Sequence, residues 1–267
     1  MRCKVSPRLP FRSALTPLMH PKRFLFLILV LLSGAIQAQI SEPKLKVILY
    51  GDKGSTGKGI PRVTELLGKD PRFDLVKLNA EQLRTQDWSD AKAIIFTGGS
   101  GSGQSKTIGE AGVKKVHDFV ESGGGYVGIC AGAYLACEGF SWGLKVLDAK
   151  TVSNKWKRGE GTVKLEFTPK GQEILGFKPG EHDIRYANGP IYCAANIEAI
   201  PDFEPLAHFR TELAENGSPQ GVMVNAPAMV AAQFGKGRVL CSSPHPEQTA
   251  GMESWIVNAV LWAAKAK

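Results

Sequence analysis

The chain has 267 residues, 43% of them hydrophobic and 22% charged, a balance ordinary for a folded protein that excludes disorder as its main theme. Its formal net charge of +8 is unevenly placed: residues 1–38 hold six of the 33 Lys and Arg residues and no acid, which leaves 27 basic against 25 acidic residues, or +2, for the rest. A nucleic-acid footprint on that remainder has no support.

In chain order, KRFLFLILVLLSGAIQAQ comes first, from Lys22. Two positive charges, an apolar run over 24–32 and a small-residue stretch ending at Ala38 form the pattern of a signal peptide over residues 1–38. The apolar run is shorter than the roughly 20 residues of a membrane span; an uncleaved anchor is the alternative. The expected product is an exported protein, periplasmic or secreted, beginning near Gln39 and soluble once the signal is removed. Met19 is a second candidate start. Cys3 leaves with the signal, and Cys130, Cys137, Cys193 and Cys241 stay where disulfides can persist. Any pair among Cys137, Cys193 and Cys241 is open to bridging. Their spacing fits no zinc pattern, so no metal is expected.

Beyond residue 42 the sequence reads as one domain to residue 267. KVILY at 46–50, FDLVKLN at 73–79, AKAIIFT at 91–97 and YVGI at 126–129 are short apolar runs that predict strands. Between them, 61–67 and 108–120 carry apolar residues at helical spacing. Strands alternating with helices predict parallel pairing in a sheet covered on both faces. From 144 to 213 the runs TVKLEF, PIYCAA and EPLAHF predict antiparallel additions at an edge of that sheet. MVAAQF at 229–234 and RVLCSS at 238–243 predict a hairpin, and 248–265 a closing helix with Met252, Trp255, Ile256, Ala259, Val260 and Ala263 inward.

Chemistry concentrates in two stretches. GGGYVGICAGAYLA, 123–136, passes from an apolar strand through Cys130 into a helix, with Gly128 and Gly132 allowing a sharp turn. That is the geometry of a nucleophile elbow. A thiol there meets the partial positive charge of a helix N-terminus, which favours the thiolate, and the Ala131 amide faces a forming oxyanion. SSPHPEQ, 242–248, follows the strand RVLCSS and sets His245 and Glu247 two residues apart, which in an extended segment points both to one side. A carboxylate beside an imidazole fixes its tautomer and stabilises the imidazolium.

With these motifs in view, GGGYVGICAGAYLA and the downstream PHPE resemble the class I glutamine amidotransferase-like superfamily. YGDKGS, FTGGSGSG, RYANGPIY and GKGRVLCSSPHPE bring the likeness closer to the domain found at the N-terminus of eukaryotic biotin-protein ligases and in stand-alone bacterial proteins. The resemblance implies an α/β fold, a flavodoxin-like three-layer α/β/α sandwich with a mostly parallel sheet. It also implies a triad of Cys130, His245 and Glu247, and an oxyanion hole from the amides of Gly99 and Ala131. Tyr134 stands where glutamine amidotransferases carry a Gln after the elbow, which argues against glutamine as substrate. Ala131 replaces the His that follows Cys in the related peptidase and chaperone group. No synthase or ligase domain accompanies the fold, so biotin transfer is not expected.

The expected function is a cysteine hydrolase acting on an amide or acyl bond of a small molecule or peptide, without cofactor. A non-catalytic small-molecule binding module and an amidotransferase subunit with a separate partner are the alternatives. GDKGSTGKG departs from a phosphate-binding loop in spacing and in lacking the Ser or Thr after Lys; it is expected to rim the cleft. Asn188-Gly189-Pro190 is expected to wall it. His117, His182 and His208 are expected on helix or turn segments without ligand partners, and Lys155, Lys157 and Arg158 to form a solvated loop around Trp156.

Overall fold

Strand β1 (Leu45–Tyr50) sends Val47 and Leu49 to one side and Ile48 and Tyr50 to the other, and all four are fully buried. A strand apolar on both faces needs a layer against each, and the computed structural model, which describes residues 43–266, supplies them. On one side α1 (Gly59–Gly68), α5 (Pro169–Leu175) and α6 (Ser254–Ala263) bury Val63, Leu67, Leu175, Trp255 and Ile256 in one core with Val47 and Leu49. On the other, α2 (Ala80–Thr85), α3 (Gly101–Ser122) and α4 (Ala131–Ala136) cover Ile48 and Tyr50 with Leu83, Ile108, Val116 and Leu135. Each such side chain contributes about 1.5–3 kcal/mol by leaving water. The result is the three-layer α/β/α sandwich, and the signal-peptide reading of residues 1–38 lies outside the described residues.

Besides β1, the sheet contains β2 (Phe73–Leu78), β3 (Ala93–Phe96), β4 (Gly125–Ile129), β6 (Glu160–Phe167), β7 (Glu181–Ala187), β9 (Glu204–Phe209), β10 (Pro227–Phe234) and β11 (Gly237–Ser242). Their order is β2-β1-β3-β4-β11-β10-β9-β6-β7. From β2 to β11 every pairing is parallel; from β11 to β7 every pairing is antiparallel. The antiparallel extension grows from the β10–β11 hairpin, which turns at Gly235 with φ +54°. A separate pair, β5 (Ala149–Thr151) with β8 (Tyr192–Ala194), runs antiparallel.

The structure differs from the sequence reading at several boundaries. α3 begins at Gly101, seven residues before the predicted start, and its two helical stretches meet at Gly109, which takes φ 67°, ψ 174°. The closing helix begins at Ser254, because Gly251 at φ +80° ends the chain's preceding turn. α2, α5, β5 and β7 are not in the sequence pattern. His182 and His208 lie in strands β7 and β9 rather than on helices or turns. Arg158 is 2% exposed, ion-paired to Glu212 at 3.2 Å, so it is not part of a solvated loop; its guanidinium is drawn inward because Glu212 is itself fixed by the amides of Gly221, Val222 and Met223. Among the described residues no helix is long and apolar enough to cross a membrane.

Candidate active site

The parallel strands end together, and the side chains singled out in the sequence follow three of those ends. Gly98 and Gly99 follow β3, Cys130 follows β4, and His245 comes three residues after β11. This is where sheets of this kind hold ligands.

Cys130 has φ 52°, ψ −99°, a backbone conformation that L residues other than Gly rarely adopt. It links β4 to α4 without an intervening residue, so the chain reverses within one peptide. Its amide donates to Ser242 O at 2.8 Å, tying the elbow to the end of β11. Gly132 permits the turn, since a Cβ there would come within 2.1 Å of Phe96 O. The thiol is 6% exposed and its Sγ approaches Ala187 O at 3.4 Å.

His245 is 5% exposed and Glu247 1%. His245 Nδ1 lies 2.9 Å from Glu247 Oε1. The contact is not made by an extended segment: residues Pro246–Gln248 form a single 3-10 turn that opens on Pro246, whose ring suits a first helical position. That turn brings the carboxylate back under the imidazole. Gln248, which the sequence reading did not single out, donates from Nε2 to Glu247 Oε1 at 2.8 Å and lines the cleft. Nδ1 faces Glu247, which leaves Nε2 as the ring nitrogen open to the thiol. Burial works against a charged imidazole, but the neighbouring Cys130 and then Glu247 outweigh it and push His245 up to about 10.

The oxyanion-hole candidates sit on either side of the elbow. Ala131 is the first residue of α4, so its amide lies outside the helix ladder. Around Gly99, Thr56 N donates to Gly98 O and Ser100 N to Gly54 O. The amides of Gly99 and Ala131 have no acceptor among the described residues.

Above this floor opens a cleft of about 410 Å³, within the range of small-ligand sites. One wall is aromatic: Tyr134 packs edge-on to Phe140 with ring centroids 5.8 Å apart, and Phe140 stacks on Trp142 at 4.6 Å. The glycine-rich loop contributes Thr56, Gly57 and Lys58 to the rim, and Asn188 joins the opposite wall, as expected. Trp156, also lining the cleft, is 51% exposed. Tyr134 gives its hydroxyl hydrogen to Asn188 O at 3.1 Å, joining the two walls.

The other cysteines are unbridged, and burial pushes the thiols of Cys137, Cys193 and Cys241 up. One set of metal-ligating side chains stands within 4.8 Å of one another among the described residues: His117, Asp118 and Glu121 on α3. His117 therefore has neighbours of ligand type after all. Asp118 is already bound by Lys114, and none of the three lines the cleft.

Residues 45–155 match the family model for biotin-protein ligase, N terminal. The biotin-protein ligase of Schizosaccharomyces pombe is 23% identical over 221 residues, which cover 77% of this chain and 34% of the ligase; the chain spans about a third of that relative. Among solved structures, a cytoplasmic protein from Salmonella typhimurium aligns with a TM-score of 0.56 at 15% identity, over 82% of this chain and 99% of that one. A ThuA-like protein from Parabacteroides merdae aligns at 0.55 and 14%, over 83% and 90%. By sequence the chain is similar to the biotin-protein ligase N-terminal family over residues 45–155, and its overall fold is shared with the ThuA-like and Salmonella proteins.

Proposed function

We propose that this protein is an exported cysteine hydrolase that cleaves an amide or related acyl bond in a small molecule or short peptide. The observation that carries the reading is the convergence on one cleft floor of an elbow cysteine, a buried His–Glu pair and two unengaged amides. Cys130 attacks as the thiolate, adding its sulfur to the carbonyl carbon. The amides of Gly99 and Ala131 hold the resulting oxyanion. His245 gives the proton on Nε2 to the departing amine, leaving a thioester on Cys130, and Glu247 keeps the ring oriented throughout. A water then attacks the thioester with His245 as base, releasing the acid and restoring the thiol. The aromatic wall favours substrates with a planar or apolar group beside the scissile bond.

The rival is a binding module that uses the same cleft without turnover, and one experiment separates them. Purified protein is incubated with amide and peptide libraries, with Cys130→Ala as control, and products and the acylated chain are read by mass spectrometry. Cysteine-dependent product supports the hydrolase. A ligand that binds the wild type and is never converted between pH 5 and 9 sinks it. Export is proposed on residues 22–38 alone: a mature chain beginning near Gln39 in the soluble exported fraction is the expected result, and an intact residue 22–32 segment in membranes the contrary one.

A further inference from the structure

Glu247 holds His245 through Oε1, but its other oxygen, Oε2, is buried and has no hydrogen-bond partner among the described residues. A carboxylate oxygen so placed is costly for an ionised group. Thr97, the residue after β3, presents the complementary orphan. It is 0% exposed and its Oγ1 has no partner either. Its carbonyl is already taken by Gly132 N at 3.2 Å and Gln104 Nε2 at 2.8 Å, so only the hydroxyl is available.

The two side chains meet at Gly59, the first residue of α1. A Cβ built there would lie 3.2 Å from Thr97 Oγ1 and 3.4 Å from Glu247 Oε1. The Cβ would also come within 2.9 Å of Thr97 Cβ, so Thr97 packs where a side chain at position 59 would stand, beside the Glu247 carboxylate. Ser243 Oγ, another unpartnered buried hydroxyl, lies instead against Gly189, 2.6 Å from where its Cβ would be. An ionised carboxylate only accepts, whereas a hydroxyl can donate, so one hydrogen bond from Thr97 Oγ1 to Glu247 Oε2 would satisfy both orphans at once.

We propose that Thr97 donates its hydroxyl hydrogen to Glu247 Oε2 and is a positioning residue of the site, keeping the carboxylate aimed at His245. It touches neither substrate nor thiol, and acts through Glu247. The inference rests on the triad reading, and its test is built to fail separately from it.

Thr97→Val keeps the branched shape and removes the hydroxyl, whereas Thr97→Ser keeps the hydroxyl and removes the methyl. A packing role follows shape, and a hydrogen-bonding role follows the hydroxyl. The measurement is the rate of Cys130 alkylation by iodoacetamide at neutral pH in the full chain, read by mass spectrometry, with the Nδ1–H proton resonance of His245 as a second readout. Val is expected to slow alkylation roughly three- to tenfold and to shift that resonance, and Ser to stay within about twofold of the wild type. In a Glu247→Gln background the Val substitution should add nothing, since the two act as a unit. Thr97→Val reacting at the wild-type rate, or Thr97→Ser reacting as slowly as Val, overturns the proposal. If Val fails to fold, Thr97→Ala against Ser reads the same hydroxyl, with equal rates again overturning it. A wild-type Cys130 no more reactive than Cys137 would instead bring down the triad reading and this inference with it.

Discussion

The two halves of the sheet contribute to the cleft in different ways. The parallel half supplies the floor: Cys130, His245 and Glu247 are 6%, 5% and 1% exposed, and each is held by backbone bonds to a neighbouring strand end or by another side chain of the group. The antiparallel half and the loops that lead into it supply Trp156, Glu160, Arg185 and Asn188, and there Trp156 stands 51% exposed. Groups that must meet a reacting atom within a fraction of an ångström sit on closely packed strand ends, whereas groups that only select a ligand sit on an irregular wall. Substitutions in the floor should therefore change rate, and substitutions in the wall should change affinity.

The largest expected effect comes from His245→Ala. Without the imidazole no group carries the proton between thiol and leaving amine, and turnover should fall by about 10²–10⁴-fold. The fold should survive, since α6 and the strands do not depend on that ring. Ligand affinity should change far less than rate, measured by steady-state kinetics beside calorimetric binding to the Cys130→Ala protein. Equal losses in both would place His245 in the wall rather than the floor. Glu247→Gln should act in the same direction and more mildly, because the ring survives without its orienting charge.

Next in size is a pH effect confined to the floor. His245 is at about 10 in the folded protein, against about 6.5 in an unfolded chain. Below pH 6.5 both states carry the proton and the stabilisation is fully present; between 6.5 and 10 only the folded state carries it, so stability falls as pH rises. Denaturant melts from pH 6 to 10 should show a decline that is much flatter in Cys130→Ala, because that variant loses the largest influence holding the proton on the ring. NMR of the ring carbon proton should likewise show His245 titrating lower in Cys130→Ala. An unchanged slope and an unchanged titration would mean that His245 does not sense the thiol.

How legible these regions were in the sequence follows the same division. Apart from α2, the elements from β1 to α4 could be read because each strand is a short apolar run and most turns carry glycine; the Gly-Ile-Cys-Ala-Gly elbow is local, so its geometry was in reach. The His245–Glu247 pair was legible as a pair, but its extended geometry was not right, because Pro246 favours the start of a helical turn and the reading weighed only the alternation of a strand. β7 was missed because an edge strand alternates: Glu181, Asp183 and Arg185 are exposed while Ile184 and Tyr186 are buried, and the whole reads as a polar turn. α2 is six residues long, too short for periodicity, yet Asn79 and Gln82 cap each other's backbone amides at 2.8 and 3.0 Å, a signal that could have been found. The inward turn of Arg158 was out of reach, since its partner Glu212 is 54 residues away. The aromatic wall is of the same kind, assembled from α4, the loop after it and residues beyond β5, contacts that only the tertiary fold brings together.

The smallest expected effect belongs to the wall, and it tests the division most directly. Trp156 projects from the irregular segment between β5 and β6, with Lys157 Nζ 5.4 Å from its ring centre. It is exposed by half and is absent from the two hydrophobic cores. Trp156→Ala should leave the melting temperature within about a degree, because surface substitutions away from such cores cost within about 0.5 kcal/mol. Cys130 alkylation by iodoacetamide, a reagent too small to need the wall, should stay within about twofold of the wild type. What should change is the hold on a planar group: an aromatic contact contributes about 0.5–1.5 kcal/mol beyond its buried area, or roughly two- to tenfold in affinity. The comparison uses N-benzoylglycinamide against N-acetylglycinamide, with binding followed by isothermal calorimetry on the Cys130→Ala protein so that no turnover intervenes. The benzoyl compound should bind more tightly to the parent and lose most of that preference in Trp156→Ala, while the acetyl compound is unaffected. If instead both lose affinity equally, or if Cys130 alkylation slows with them, wall and floor are one mechanical unit and the separation of selectivity from chemistry drawn from their burial does not hold.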